Sequence, residues 1–193
     1  MKQLVTIYTN GELRLEEVPV PRAGKGFVVV RNACSVVSAG TELMKVRDAG
    51  RTLLGKALER PEQVRKVVET ARQMGVKAAY DKAANRLAEY TSLGYSCCGV
   101  VVEAGEGAGW REGDWVACGG AEFANHAEYV RVPKNLCVAL PAGVSPEEGA
   151  FATIGAIAMQ ALRQAGVALG ETVAVIGLGL LGQIAVQLLH AAG

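Results

Sequence analysis

The chain has 193 residues, enough for one domain or for one domain and part of a second, which excludes a large multidomain enzyme for the chain as it stands. Half of its residues are apolar and a fifth are charged, a balance that supports a core and excludes a disordered chain. A net charge of +1 gives no general reason to expect nucleic acid or a membrane as partner, and 24 glycines, against a usual share of ~7%, point to tight turns and close backbone approaches.

The N-terminus "MKQLVTIYTNGELRLEE" has no apolar signal region, so the expected location is the cytoplasm. Up to about Val37 the pattern is β: "LVTIY", then "ELRLEEVPVP", then "GFVVVRNACSVV". Asn10-Gly11 between the first two runs predicts a hairpin closed by a type I′ turn, in which both residues take positive φ. From about Thr41 to Tyr90 the residues are helix formers. Val64, Val67, Val68 and Ala71 follow the i, i+3, i+4, i+7 spacing, with Pro61 at a start and Gly75 at an end.

This helical insertion is basic. Residues 45–90 hold 11 Lys/Arg and 6 Asp/Glu, while the rest of the chain holds 9 and 13. It reads either as a solvated helix face or as a lid whose cations meet a phosphate-bearing or acidic substrate. A second β block follows in "SCCGVVVEAG", "GDWVACG", "HAEYVRVP" and "LCVALP", whose Gly and Pro punctuation suits a barrel or sandwich of short strands. After Pro141, Ser145 and Pro146 open helices with acids in the first turn. The five cysteines, Cys34, Cys97, Cys98, Cys118 and Cys137, are an odd number without a C-x-x-C pair, which predicts reduced thiols in strands.

"TVAVIGLGLLGQIAVQLL" predicts a buried apolar strand, a glycine turn and an apolar helix. In that setting Gly177, Leu178, Gly179, Leu180, Leu181 and Gly182 form a G-x-G-x-x-G dinucleotide motif. Gly177 allows the tight turn, Gly179 lets a pyrophosphate approach the backbone, and Gly182 lets helix and strand pack closely. Free N–H groups at the helix start would hold the phosphate charge. The residue that separates NAD from NADP is expected about 20 residues beyond the motif, so the sequence leaves the two open. A single strand and helix cannot bury themselves in a parallel sheet, which leads to the expectation that the native chain is longer.

In this order the segments resemble the N-terminal part of a medium-chain dehydrogenase/reductase. The resemblance rests on the β domain, on "GVVVEAGEGAGWREGDWVA" as the G-x-V-x-x-x-G and G-D-x-V stretch, on "HAEYVRVP", and on the glycine motif. It implies a mixed α and β fold: a GroES-like β-barrel domain at 1–140 with the insertion at about 41–90, then the first β-α unit of a Rossmann domain at 141–193. Zinc-dependent members carry Cys, His, Glu and further ligands where this chain has Ser38 or Ala39 in "VVSAGTE", Gly94-Tyr95-Ser96 in "LGYSCCG", and Thr153 in "FATIG". Serine, tyrosine and threonine do not make a tetrahedral zinc site, so no metal is expected. The chain looks most like zinc-free bacterial members with "SAGTE" and "GYS" motifs, which are often fused to a second oxidoreductase domain.

The resemblance implies an NAD- or NADP-dependent oxidoreductase acting on an alcohol/carbonyl pair or an activated enone. Tyr95, assisted by Ser38 or by Thr41, is the candidate proton donor, and Thr153 joins the glycine motif as a candidate cofactor contact. Glu42 is expected to order its loop and His190 to suit a helix end. His126, next to the region that lines the cleft in family members, stays open between a structural and a catalytic role. The expected partners are a small-molecule substrate, without nucleic acid or membrane, and either a second copy or a fused domain. A nucleotide-binding or scaffolding member with a decayed active site is the competing reading.

Overall fold

In the computed structural model, residues 1–7, 10–168 apart from 51–89, and 170–193 are described, and they form two units. The helix predicted at Val64–Ala71 lies outside them, as does most of the basic insertion. One unit holds Met1, Val18–Ser38 and Gly94–Gly193; the other holds Lys2–Glu17 and Ala39–Leu93. Among the described residues, no helix is long and apolar enough to cross a membrane.

The smaller unit pairs β1 (Lys2–Ile7) with β2 (Leu13–Glu17) and with β4 (Tyr90–Ser92), all antiparallel. The hairpin is present, but its turn is longer than a type I′ turn. Ile7 N–H donates to the Glu12 carbonyl at 2.9 Å, so four residues lie between the closing pair. Among the described turn residues Gly11 carries the positive φ, at 71°, while Asn10 keeps an ordinary backbone and its side-chain oxygen accepts from Glu12 N–H. The same unit contains α1 (Ala39–Gly50).

The larger unit is built on one antiparallel sheet in the order β7-β3-β5-β6-β8: β3 (Phe27–Ser35), β5 (Ser96–Ala104), β6 (Trp115–Gly119), β7 (Tyr129–Pro133) and β8 (Cys137–Ala139). The central strands are buried on both faces over Val28–Val30 of β3 and Ser96–Gly99 of β5, so these stretches do not alternate between buried and exposed residues. Val28, Val30, Cys97, Val101, Val116, Cys118, Val130 and Val132 fill one face. Cys98, Val36, Ala150 and Ile154 fill the other, under α2 (Pro146–Gly149) and α3 (Ala152–Ala165). Each such valine contributes roughly 1.5–3 kcal/mol by leaving water. All five cysteines lie in strands as free thiols.

One departure from regular pairing shapes the end of this sheet. Asn32 faces Gly99 and Cys34 faces Cys98, so Ala33 is an extra residue, a β-bulge that reverses the alternation of β3. Ser35 thereby faces Cys97, and Cys34 turns to the opposite side. Gly99 is what permits the close approach, since a Cβ there would overlap the Arg31 carbonyl oxygen. At Ser145 the expected cap is a full capping box: its hydroxyl accepts from Glu148 N–H, and the Glu148 carboxylate accepts from Ser145 N–H.

The predicted buried strand at 172–177 is not a strand. None of the described residues forms a ladder with it, and an unpaired segment cannot be held extended and buried. Ile176 is 99% exposed. The helix that follows, α4 (Leu180–Ala192), is as expected. Gly99→Ala should cost about 1–3 kcal/mol by overpacking, whereas Gly155→Ala, at an open position within α3, should gain about 0.5–1 kcal/mol; urea melts of both variants measure this.

Candidate functional site

The glycine motif has the backbone that its sequence asks for. Gly177 has φ +96°, a conformation that a side chain would strain. A Cβ on Gly182 would collide with the Gly177 carbonyl oxygen, so the third glycine is required by close approach. A Cβ on Gly179 would meet nothing within 4 Å. Gly179 is also the N-cap of α4 and supplies no side-chain cap, leaving the first N–H groups of the helix without intrahelical acceptors. The first helical bond runs from Gln183 N–H to the Gly179 carbonyl at 2.9 Å. Open space over the middle glycine, beside unpaired donors and the positive end of a helix, fits a phosphate group. Leu178 and Leu181 are exposed beside it.

Tyr95 is placed by its neighbours. Gly94 has φ +95°, and a Cβ there would come within 2.7 Å of the His126 backbone nitrogen, so the chain can enter β5 at this point only with glycine. The Tyr95 carbonyl accepts from Gly120 N–H at 3.0 Å. Its ring packs with Cys34, Leu140, Leu180 and Ile184 around Val36, Cys98, Ala150 and Ile154. Leu180 and Ile184 belong to the first turns of α4. The tyrosine and the helix of the glycine motif therefore share one apolar cluster. No described side chain bonds the Tyr95 hydroxyl, and it is not among the sealed polar atoms.

The other predicted residues are distributed differently. Ser38 is half-buried just beyond β3. Thr41 is exposed and Glu42 is buried, both on α1 in the smaller unit, and all three residues have interactions of their own. The Thr153 hydroxyl is turned to β6, where it lies 3.5 Å from the Cys118 carbonyl over Gly119, whose missing Cβ makes room for it. His190 is exposed in the last turn of α4. Among the described residues, no group of three His, Cys, Asp or Glu side chains could hold a metal ion.

Sequence reasoning missed Ser35. Its hydroxyl is 2.7 Å from His126 Nδ1, a pairing produced by the Ala33 bulge, which has no signature in the residues themselves. Asn32 strengthens the same junction, its amide donating to the Asn125 and Ala127 carbonyls at 3.2 and 2.8 Å. These bonds fasten the 120–127 loop to β3 on both sides of His126, and Ser35 and Tyr95 lie against opposite faces of the sheet.

No protein-family profile matches the chain. Among solved structures, galactitol-1-phosphate dehydrogenase from Escherichia coli superposes with a TM-score of 0.74 at 22% identity, over 100% of this chain and 53% of that one. Quinone oxidoreductase from Thermus thermophilus, solved also as its NADPH complex, gives 0.66 at 27% identity over 99% and 50%. By fold, the chain is similar to the medium-chain dehydrogenases/reductases. A curated relative, (R,R)-butanediol dehydrogenase of Bacillus subtilis strain 168, is 31% identical over 129 residues, 53% of this chain and 36% of the relative. The chain thus spans about half the length of these solved medium-chain enzymes.

Behind Tyr95, burial, with a smaller effect from Cys34, pushes the Cys98 thiol up to about 11. A raised pKa withholds the thiolate until higher pH, and the thiolate is the reactive form. At pH 7.5 native Cys98 should alkylate at least roughly a hundredfold more slowly than in the urea-unfolded chain, rising toward pH 11; timed iodoacetamide labelling with peptide mapping measures the ratio.

Proposed function

We propose that this chain is part of an NAD(P)-dependent oxidoreductase that interconverts an alcohol and a carbonyl, or reduces an activated enone, without zinc. The observation that carries this reading is the glycine cradle: two glycines required by the backbone and a third, Gly179, that faces open space at the start of α4. When bound there, the nicotinamide cofactor supplies the hydride. The residues that would hold its pyrophosphate are Gly177–Gly182, with NAD and NADP both open. NADPH in the Thermus structure and the dehydrogenase names of the relatives support the reading.

Zinc independence is supported by the donor set, because Ser38, Tyr95 and Thr153 stand where ligands would be and offer hydroxyls. Within the proposal, Tyr95 donates the proton to the substrate oxygen, with Ser38 or Thr41 assisting. Its place in the apolar cluster that also takes in Leu180 and Ile184, from the helix of the cofactor motif, supports this. The rest of the reading is a small-molecule substrate, cytoplasmic location, and assembly with a second copy or a fused domain. A second reading, a nucleotide-binding member with a decayed active site, is favoured by one observation: no described side chain activates the Tyr95 hydroxyl.

The full-length protein distinguishes the two. Gly179→Ala should leave the melting temperature unchanged and weaken NAD(H) or NADP(H) binding at least tenfold by calorimetry, about 1.4 kcal/mol; unchanged affinity overturns the cradle. With a panel of ketones and enones followed by nicotinamide absorbance, Tyr95→Phe should lower kcat by about 10²- to 10⁴-fold. Turnover equal to the parent removes Tyr95 from the chemistry, and binding without any turnover in the parent supports the decayed member.

A further inference from the structure

Three pairs of cysteines face each other across the larger sheet: Cys34 with Cys98, Cys97 with Cys118, and Cys118 with Cys137. Directly opposed residues of an antiparallel ladder alternate between hydrogen-bonded and non-hydrogen-bonded pairs. The side chains approach more closely in the second kind, where the Cα atoms are about 4.5 Å apart. The backbone bonds decide the type of each pair. Val36 N–H donates to Ser96 across β3 and β5, so Ser35 and Cys97 form a non-hydrogen-bonded pair and Cys34 and Cys98 a hydrogen-bonded one. Gly120 N–H donates to Tyr95 and Val101 N–H to Asp114, which makes Cys97 and Cys118 hydrogen-bonded as well. Leu140 N–H donates to Trp115, and counting two steps at a time along β6 and β8 leaves Cys118 and Cys137 at a non-hydrogen-bonded site.

Of the three pairs, this one therefore brings its thiols nearest, and its sulfurs are 3.9 Å apart. A Cα separation of about 4.5 Å lies within the range that a disulfide spans, about 4.4–6.8 Å, so rotation about χ1 can close the gap with little backbone movement. Cys118 is sealed in the core, but Cys137 is partly exposed at the edge of the sheet, where a small oxidant can reach it. We propose that Cys118 and Cys137 are a site of reversible oxidative modification, closing to a disulfide under a hydroperoxide.

The step balances as two reactions. The Cys137 sulfur attacks the peroxide, forming an S–O bond as the O–O bond breaks, and the departing hydroxide leaves as water with the thiol proton. The Cys118 sulfur then attacks Cys137, forming the S–S bond as the S–O bond breaks, and the second hydroxide leaves as water with the Cys118 proton. Two thiols lose two electrons, and one hydroperoxide becomes two waters when hydrogen peroxide is used. At Cys137 the hydrogen bond with Cys118 and then burial hold the thiol protonated, while at Cys118 the lowering effect of Cys137 is outweighed by the contact with Cys97 and by burial, so closure is slow beside that of an exposed thiol. The bond would tie β8 to β6 around the segment that carries Gly120 and His126, the loop fastened against Gly94 and Tyr95.

The test treats the full-length protein, folded, with hydrogen peroxide, traps remaining thiols with N-ethylmaleimide and maps peptides by mass spectrometry. The expected product is one intrachain disulfide joining Cys118 to Cys137, lost on adding dithiothreitol, with Cys34, Cys97 and Cys98 of this chain still trapped as thiols. Cys137→Ser and Cys118→Ala should each abolish it, and circular dichroism shows that each variant is folded. Finding Cys34–Cys98 or Cys97–Cys118 as the main product overturns the proposal. So does conversion of Cys137 to sulfinic or sulfonic acid without a cross-link.

Discussion

The pairing of β3 with β5 is the constraint from which the rest of the larger unit follows. These two strands lie at the centre of the sheet and carry apolar residues on both faces, so each must be covered twice. One cover comes from the loops that carry Ala108, Trp110, Phe123 and Ala124. The other comes from α2, α3 and the start of α4. The pairing admits both only because Gly99 removes a Cβ from the path of Arg31 and because Ala33 is accommodated as a bulge. Where the alternation reverses, the side chains at the end of β3 are re-aimed, and the segments that carry Ser38 and Tyr95 begin there.

The geometry of the two candidate centres comes from the same economy of small residues. Gly94 lets the backbone of the 120–127 loop sit against the entry to β5, and Gly182 lets α4 sit against the turn before it. In both places a missing side chain sets a distance between backbones, and the functional group stands next to it: Tyr95 in one case, the open face of Gly179 in the other. The shared apolar cluster of Tyr95, Leu180 and Ile184 links the two, so a change in packing at one end reaches the other through contacts of ordinary van der Waals kind.

Much of this was legible from residues alone. The strands of the second β block, the N-cap at Ser145 and the roles of Gly177 and Gly182 follow from local rules: alternation, cap chemistry and the need for positive φ or close approach. What was not legible depended on pairing between distant segments. Asn-Gly favours a two-residue turn, yet register places the closing pair of the hairpin at Ile7 and Glu12. The apolar composition of 172–177 suits a strand, but a strand exists only with a partner ladder. Ser35 escaped notice because a bulge is a property of two strands and is written in neither. The cysteines formed an unpatterned odd number, and only register sorts them into pairs of unequal closeness.

In the smaller unit, β1 pairs with β4 so that Val5 faces Ser92, across nearly half the chain. The entropy of closing so long a loop grows only with the logarithm of its length, about 0.6 kcal/mol for each doubling. Once that closure has been made, adding or removing residues between α1 and β4 alters the stability of the sheet very little. A change in the number of residues between those elements therefore costs the pairing of Val5 with Ser92 little, and the strands on either side can keep their register.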